Sequence, residues 1–350
     1  MKKTILFVFV MFIGIIAAQA QANDTIRIGQ QDEMLAEKLY NEGIQLYEKG
    51  DYTLSMQKFN QSISMRPDFE LAYYNRGVVK ALIDDHNGAI EDFNKAIELQ
   101  PDFPRAYFSR GQSKQSLGEL ENAISDYSMA AEQDKNYAQA FYYRGGAKFL
   151  LKDYQGAIVD FTSAINVKSD YAYAYNDRGS AKKMLEDFDG AIADYNQAAR
   201  LDNSLAFVFN NIGSTEKIRK NYEVAIENYT AAIKLNPEYY MAFNNRGSIR
   251  SEIGQYEEAI ADFTKAIELN PEYAYAFNNR GNAKFKLKDY KGAVEDYSKA
   301  IELDEAYAYA YLNRGIAKEM LRDDKGAIQD WEKAFSLGIA AAQVYIQQSR

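Results

Sequence analysis

Apolar and polar positions alternate along this chain with the period of helices, and the pattern itself repeats. From residue 36 onward, runs with small or aromatic residues at i, i+4 and i+7 follow one another in pairs, as amphipathic helices require. Glycine sets the register. Gly43, Gly77, Gly111, Gly145, Gly179, Gly213, Gly247, Gly281 and Gly315 stand 34 residues apart. With this glycine as position 8, nine repeats begin at residues 36, 70, 104, 138, 172, 206, 240, 274 and 308 and end at 341. Alanine recurs at position 20 (Ala89 to Ala327, with Ser55 first) and at position 27 (Ala96 to Ala334, with Ser62 first). Position 24 is aromatic throughout, from Phe59 to Trp331, and position 4 is aromatic in every repeat but the first, which has Leu39.

Positions 4, 8 and 11 lie on one helix and positions 20, 24 and 27 on a second, so each repeat predicts a helical hairpin. Glycine and alanine let the two helices approach while the aromatics fill the space between them. Asp or Glu near position 16, as in Asp153 and Asp289, marks the turn. Pro67, Pro101, Pro237 and Pro271 at position 32 stop the second helix; Lys135, Ser169, Asn203 and Glu305 hold that place elsewhere. Residues 342–350 suit a short cap.

The glycine, alanine, aromatic and proline spacing over residues 36–341 resembles the tetratricopeptide repeat family. The resemblance implies an all-α fold, a right-handed α-solenoid of nine 34-residue helix-turn-helix repeats with a C-terminal capping helix. Its first helices would line a concave groove, and its ends would need covering.

One departure is charged. The family usually has Leu at position 7 and Tyr at position 11, whereas this chain mostly has Arg at 7, Lys or Arg at 11 and Asp at 23. The pairs at 7 and 23 include Arg76 with Asp92 and Arg280 with Asp296. The first repeat exchanges the signs (Glu42, Lys58), and the sixth loses both charges (Ile212, Asn228). Joint change at the two positions predicts contact, and sevenfold repetition points to structural ion pairs rather than an active site.

Composition narrows the chemistry further. There is no cysteine, hence no disulfide, thiol nucleophile or thiolate-bound zinc, and there is one histidine. His86 follows Asp84 and Asp85 but occupies position 17, where Tyr52, Tyr154 or Tyr290 stands in other repeats, so a turn residue is favoured over a metal ligand. With no catalytic set, the chain reads as a non-enzyme without a cofactor or metal. The net charge of −9 argues against nucleic acid as a partner. Lys2 and Lys3, an apolar run from Ile5 to Ala18, and Ala18-Gln19-Ala20-Gln21-Ala22 describe a signal peptide over 1–22, cleaved after Ala20 or Ala22. The run is short of the ~20 residues that span a bilayer. Residues 23–35 read as a linker. The mature protein is expected to be exported, periplasmic or secreted, with no integral span.

In the family, positions 2, 5, 9, 12 and 13 face the groove. The resemblance thus gives repeats 1, 2 and 4 an apolar lining that includes Tyr40, Tyr74 and Phe149, and repeats 5 to 8 a polar one. There, Asn176, Asn210, Asn244 and Asn278 stand at position 5, and Ser180, Ser214, Ser248 and Asn282 at position 9. Tyr173, Phe207, Met241 and Tyr275 stand at position 2. An asparagine amide both donates and accepts, so such a column suits the peptide groups of an extended chain. No repeat has the Lys at position 5 that the family's carboxylate-clamp members need. The expectation is a scaffold that binds an extended peptide or partner protein in cell-envelope assembly or secretion. The alternative is a glycan- or peptidoglycan-binding module using the same Tyr and Asn residues.

Overall fold

A computed structural model describes residues 30–348, which form nineteen helices and no strand. The expected signal peptide lies outside the described residues. The chain divides into two compact units, one ending at Ser169 and the other running from Asp170.

In the N-terminal unit, α1 (30–48) pairs with α2 (Tyr52–Met65), α3 (Glu70–Leu82) with α4 (His86–Leu99), α5 (Pro104–Ser116) with α6 (Leu120–Gln133), and α7 (Ala138–Leu150) with α8 (Tyr154–Val167). Residues 30–35, expected to be linker, are already helical and lengthen α1. The C-terminal unit repeats the plan. Its first helices are α9 (Ala172–Met184), α11 (Ala206–Ile218), α13 (Tyr240–Glu252), α15 (Ala274–Lys286) and α17 (Ala308–Met320). Its second helices are α10 (Phe188–Leu201), α12 (Tyr222–Leu235), α14 (Tyr256–Leu269), α16 (Tyr290–Leu303) and α18 (Asp324–Ser336), and α19 (Ala342–Gln348) closes it. Within each unit every helix packs on its sequence neighbours, so each unit is an α-solenoid.

The turn inside each hairpin has one construction. Position 15 has a positive φ, whether it is a glycine (Gly118) or not (Lys288), and reverses the chain after the first helix. Position 16 then caps the second helix. In six repeats it is Asp, whose carboxylate accepts from the backbone N–H three residues on, as Asp153 does from Gly156 at 2.9 Å.

Second helices α2 to α16 all end at position 30, with or without proline at 32. In five repeats position 31 supplies a stop. Asp134, Asp202, Asn236, Asn270 and Asp304 each accept from the backbone N–H two residues later, at 2.9–3.1 Å.

The core runs between the paired helices. Alanines at positions 20 and 27 are fully buried, and so are Phe93, Tyr127, Tyr195 and Trp331 at position 24. Each position-8 glycine lies against the position-24 ring of its own hairpin; a Cβ on Gly247 would sit 2.9 Å from Phe263 Cε1. In the first repeat, Ser55 and Ser62 replace the alanines, and their hydroxyls donate to Gly43 O and Ala36 O, both at 2.8 Å. The C-terminal end is covered by Tyr345 of α19, stacked on Trp331 at 5.3 Å.

Candidate ligand-binding faces

The charged positions form a repeated network. Arg280 Nε and Nη2 donate to the two carboxylate oxygens of Asp296 at 2.9 and 2.7 Å, and Lys284 Nζ lies 2.8 Å from Asp296 Oδ2. The remaining Nη1 reaches back to Thr264 Oγ1, in the preceding repeat, at 3.2 Å, and the guanidinium stands 5.6 Å from the centre of the Phe277 ring. Arg76 does the same with Asp92 and Lys80, its Nη1 reaching Asn60 at 2.6 Å. All seven such aspartates are buried and each pairs with two cations. A carboxylate so held has no freedom to act as a base. In the first repeat Lys58 pairs with Glu42 at 2.6 Å. In the sixth, Ile212 is buried and Asn228 donates to Val224 O.

The asparagines at position 5 are placed differently from expectation. Asn176, Asn244 and Asn278 are only 5–6% exposed, because each is covered by the next repeat. Their amide oxygens accept from an asparagine at position 6 of that repeat: Asn211 to Asn176, Asn245 to Asn210 and Asn279 to Asn244 at 3.0 Å, and Asn313 to Asn278 at 3.1 Å. In the N-terminal unit Asn75 donates to the Tyr40 hydroxyl at 2.9 Å in the same way. The column is therefore an inter-repeat ladder rather than an open row of amides. Its donors were visible in the sequence as the second residue of Asn210-Asn211, Asn244-Asn245 and Asn278-Asn279.

Position 9 also has internal work. The buried tyrosines at position 24 need a partner for the hydroxyl; three find it there, while Tyr127 donates to Gln115, at position 12, at 2.9 Å. Tyr195 donates to Ser180 at 3.2 Å, Tyr297 to Asn282 at 2.8 Å, and Tyr229 bonds to Ser214. Burial pushes the Tyr195 hydroxyl up to about 12, and raises Tyr127, Tyr229 and Tyr297 as well. Ser248, whose repeat has Phe263 at position 24, instead accepts from Lys217 at 2.9 Å.

What remains open on this face is the aromatic row at position 2. Tyr173, Met241, Tyr275 and Tyr309 are all exposed, Tyr275 by 55%, with Phe207 half-buried between Tyr173 and Met241 in the sequence of repeats. Tyr173 and Phe207 lie 5.8 Å apart, and Tyr275 is 5.1 Å from Tyr307. In the N-terminal unit Tyr40 and Tyr74 lean instead on Phe69 and Phe103, at 5.0 and 4.9 Å. Among the described residues no group of His, Asp and Glu could hold a metal ion, and no helix is long and apolar enough to cross a membrane.

The repeats match known families directly. Residues 71–103, 108–165, 172–205, 208–239 and 228–261 each match a tetratricopeptide repeat description, and 247–288 and 281–321 match a TPR repeat description. The chain belongs to the tetratricopeptide repeat family. No curated protein sequence matches it. Solved tetratricopeptide structures include the APC/C hetero-tetramer Cut9-Hcn1, 14% identical with a TM-score of 0.57, covering 90% of this chain and 76% of that one. PilF of Pseudomonas aeruginosa is 20% identical with a TM-score of 0.54, covering 61% of this chain and 96% of its own. MamA is 27% identical over 49% of this chain and 94% of its own, with a TM-score of 0.44. The first two show the fold.

Proposed function

We propose that this tetratricopeptide protein is a non-catalytic scaffold whose first-helix face binds an extended peptide or a segment of a partner protein, in an exported compartment. The observation that carries the reading is the position-2 row. Large rings and a methionine stand at one register in five successive repeats, exposed in four and half-buried at Phe207, where a soluble surface would favour polar residues. Tyrosine supplies contact area at low entropic cost together with a polar tip. The asparagine ladder supports the reading indirectly, because it fixes the spacing between rows and pre-organises the face.

Export rests on the sequence of residues 1–22, and envelope assembly or secretion is the process it suggests. N-terminal sequencing of the protein from an extracytoplasmic fraction should return Gln21 or Asn23; Met1 would overturn export. The binding test is capture from an envelope extract by the wild type and by Tyr173→Ala/Phe207→Ala/Tyr275→Ala. Loss of a partner from the variant, with unfolding unchanged, supports the reading. Equal capture by both proteins overturns the position-2 row as the contact surface. Recovery of a glycan alone would favour the sugar-binding alternative.

A further inference from the structure

In the N-terminal unit a pocket of about 240 Å³ opens among α3, α4 and α5. Its apolar wall is Val78, Ala81, Leu82 and Phe93. The cause is local. Position 12 is Ala81 here, where other repeats carry Tyr47, Gln115, Phe149, Lys183, Lys217, Phe285 or Glu319. Position 24 is Phe93, so no tyrosine hydroxyl enters. The other small residue at position 12 is Ser251, and a pocket of about 250 Å³ opens there too, against Phe263.

The polar wall of the first pocket is unfinished. Ser113 is 1% exposed and its hydroxyl has no partner, although Thr215, at the same position of its repeat, donates to Asn211 O at 2.8 Å. His86 Nδ1 is likewise buried without a partner. Gln112, on the same wall, makes no side-chain hydrogen bond among the described residues. Buried polar groups are nearly always satisfied, and each unmet one is costly. Five polar side chains line the pocket, His86, Ser109, Gln112, Ser113 and Ser116, around a space of about 240 Å³ that has room for one more side chain.

We propose that this pocket receives an uncharged carboxamide, the side chain of a glutamine or asparagine in the bound polypeptide. No Asp, Glu, Lys or Arg lines it, so an entering charge would be desolvated without a counter-ion. A carboxamide donates and accepts at once. It can therefore satisfy the Ser113 hydroxyl and His86 Nδ1 in either tautomer of the ring, and pair reciprocally with the Gln112 amide. Glutamine adds two methylenes to lie on Phe93 and Val78. The inference rests on the reading of the first helices as a peptide surface, extends it to the N-terminal unit, and gives that unit a side-chain preference.

His86 is the sole histidine of the chain, so its ring signals in NMR report on this pocket alone. The probe is the blocked pentapeptide Ala-Ala-Gln-Ala-Ala, compared with peptides carrying Leu or Glu at the centre, titrated into the full chain. The glutamine peptide should shift the His86 signals saturably, and the other two should bind about tenfold more weakly or worse. Ala81→Phe places in the pocket a residue that repeats 4 and 8 already carry at position 12, and should abolish the shift in a folded protein. Ser113→Ala should weaken binding while the unfolding temperature holds or rises, since it removes an unmet hydroxyl. Equal binding of the leucine peptide, retained binding by Ala81→Phe, no shift with any peptide, or a shift with N-acetylglucosamine but not with the glutamine peptide would each overturn the proposal. If a captured partner binds wild type and Ala81→Phe alike, the pocket preference falls and the peptide-face reading stands. If no extended polypeptide binds the wild type anywhere, both fall.

Discussion

Asn279 donates its side-chain amide to the amide oxygen of Asn244, thirty-five residues earlier and one repeat away, at 3.0 Å. Asn244 is almost wholly buried by the contact. Replacing Asn279 by Ala strands that oxygen and should lower stability by about 1–3 kcal/mol. Adding Asn244→Ala should cost less than the sum of the two single changes, because the partners fail together. Denaturant unfolding of the three variants checks this, and strict additivity would refute the contact. Removing Asn176, Asn210, Asn244 and Asn278 together should therefore destabilise the C-terminal unit, contrary to what an open groove would predict.

The network around Asp296 gives a second test. Asp296 is buried and pairs with both Arg280 and Lys284. Asp296→Leu should cost about 3–5 kcal/mol by leaving both cations unpaired, and Arg280→Met should cost less, because Lys284 stays on the carboxylate. Exchanging Arg280 and Asp296 should recover little, since the new arginine would face Lys284. Importing the first repeat's whole set, Arg280→Glu with Lys284→Leu and Asp296→Lys, should recover more. Glu42, Leu46 and Lys58 hold those positions there. A triple variant no more stable than the exchange would argue against this account.

Gly247 has no room for a side chain. A Cβ there would press on Phe263 and on Asp262 Cβ at 2.9 and 3.1 Å. Gly247→Leu should cost roughly 1–3 kcal/mol or more by overpacking, read as a fall in the denaturant midpoint. Gly146, whose added Cβ meets nothing within 4 Å, is the control. Gly146→Ala should be neutral or stabilising, because alanine is the better helix former.

The buried tyrosines make stability fall in alkali. Burial raises the Tyr195 hydroxyl to about 12 and raises Tyr127, Tyr229 and Tyr297 in the same direction. An unfolded tyrosine titrates near 10. Above that pH the unfolded chain loses protons that the folded chain keeps, so stability present below about pH 10 is lost as pH rises toward 12. Replacing all four by Phe should flatten the dependence in that window. An unchanged pH profile of urea midpoints would exclude these residues as its cause.

How much of this was legible in the sequence follows from what each residue contacts. Gly43 and its eight counterparts gave the register because the glycine must meet an aromatic sixteen positions later, within one hairpin. The pairing of position 7 with 23 was visible because repeats 1 and 6 change both residues. Asn75, Asn211 and Asn279 were harder to read, since each acts on the repeat before it and no unit taken alone reveals the partner. Asn176 could be placed on the first-helix face by period, but its burial depends on the helix that arrives thirty residues later. His86 looked like a turn residue for the same reason: the pocket beside it is made by Ala81 being small and by Ser113 arriving from the next hairpin.

Among the described residues, the arginine and asparagine side-chain bonds between repeats run one way. Asn211, Asn245, Asn279 and Asn313 donate to acceptors in the preceding repeat, as do Arg76 to Asn60 and Arg280 to Thr264. During synthesis, when earlier segments can fold first, the arginines and asparagines of a new hairpin meet acceptors already laid down, while the ammonium groups of Lys183 and Lys217, which water serves meanwhile, wait to donate to Ser214 and Ser248 of the next repeat. The ladder thus lets the chain build itself in the order in which it is translated.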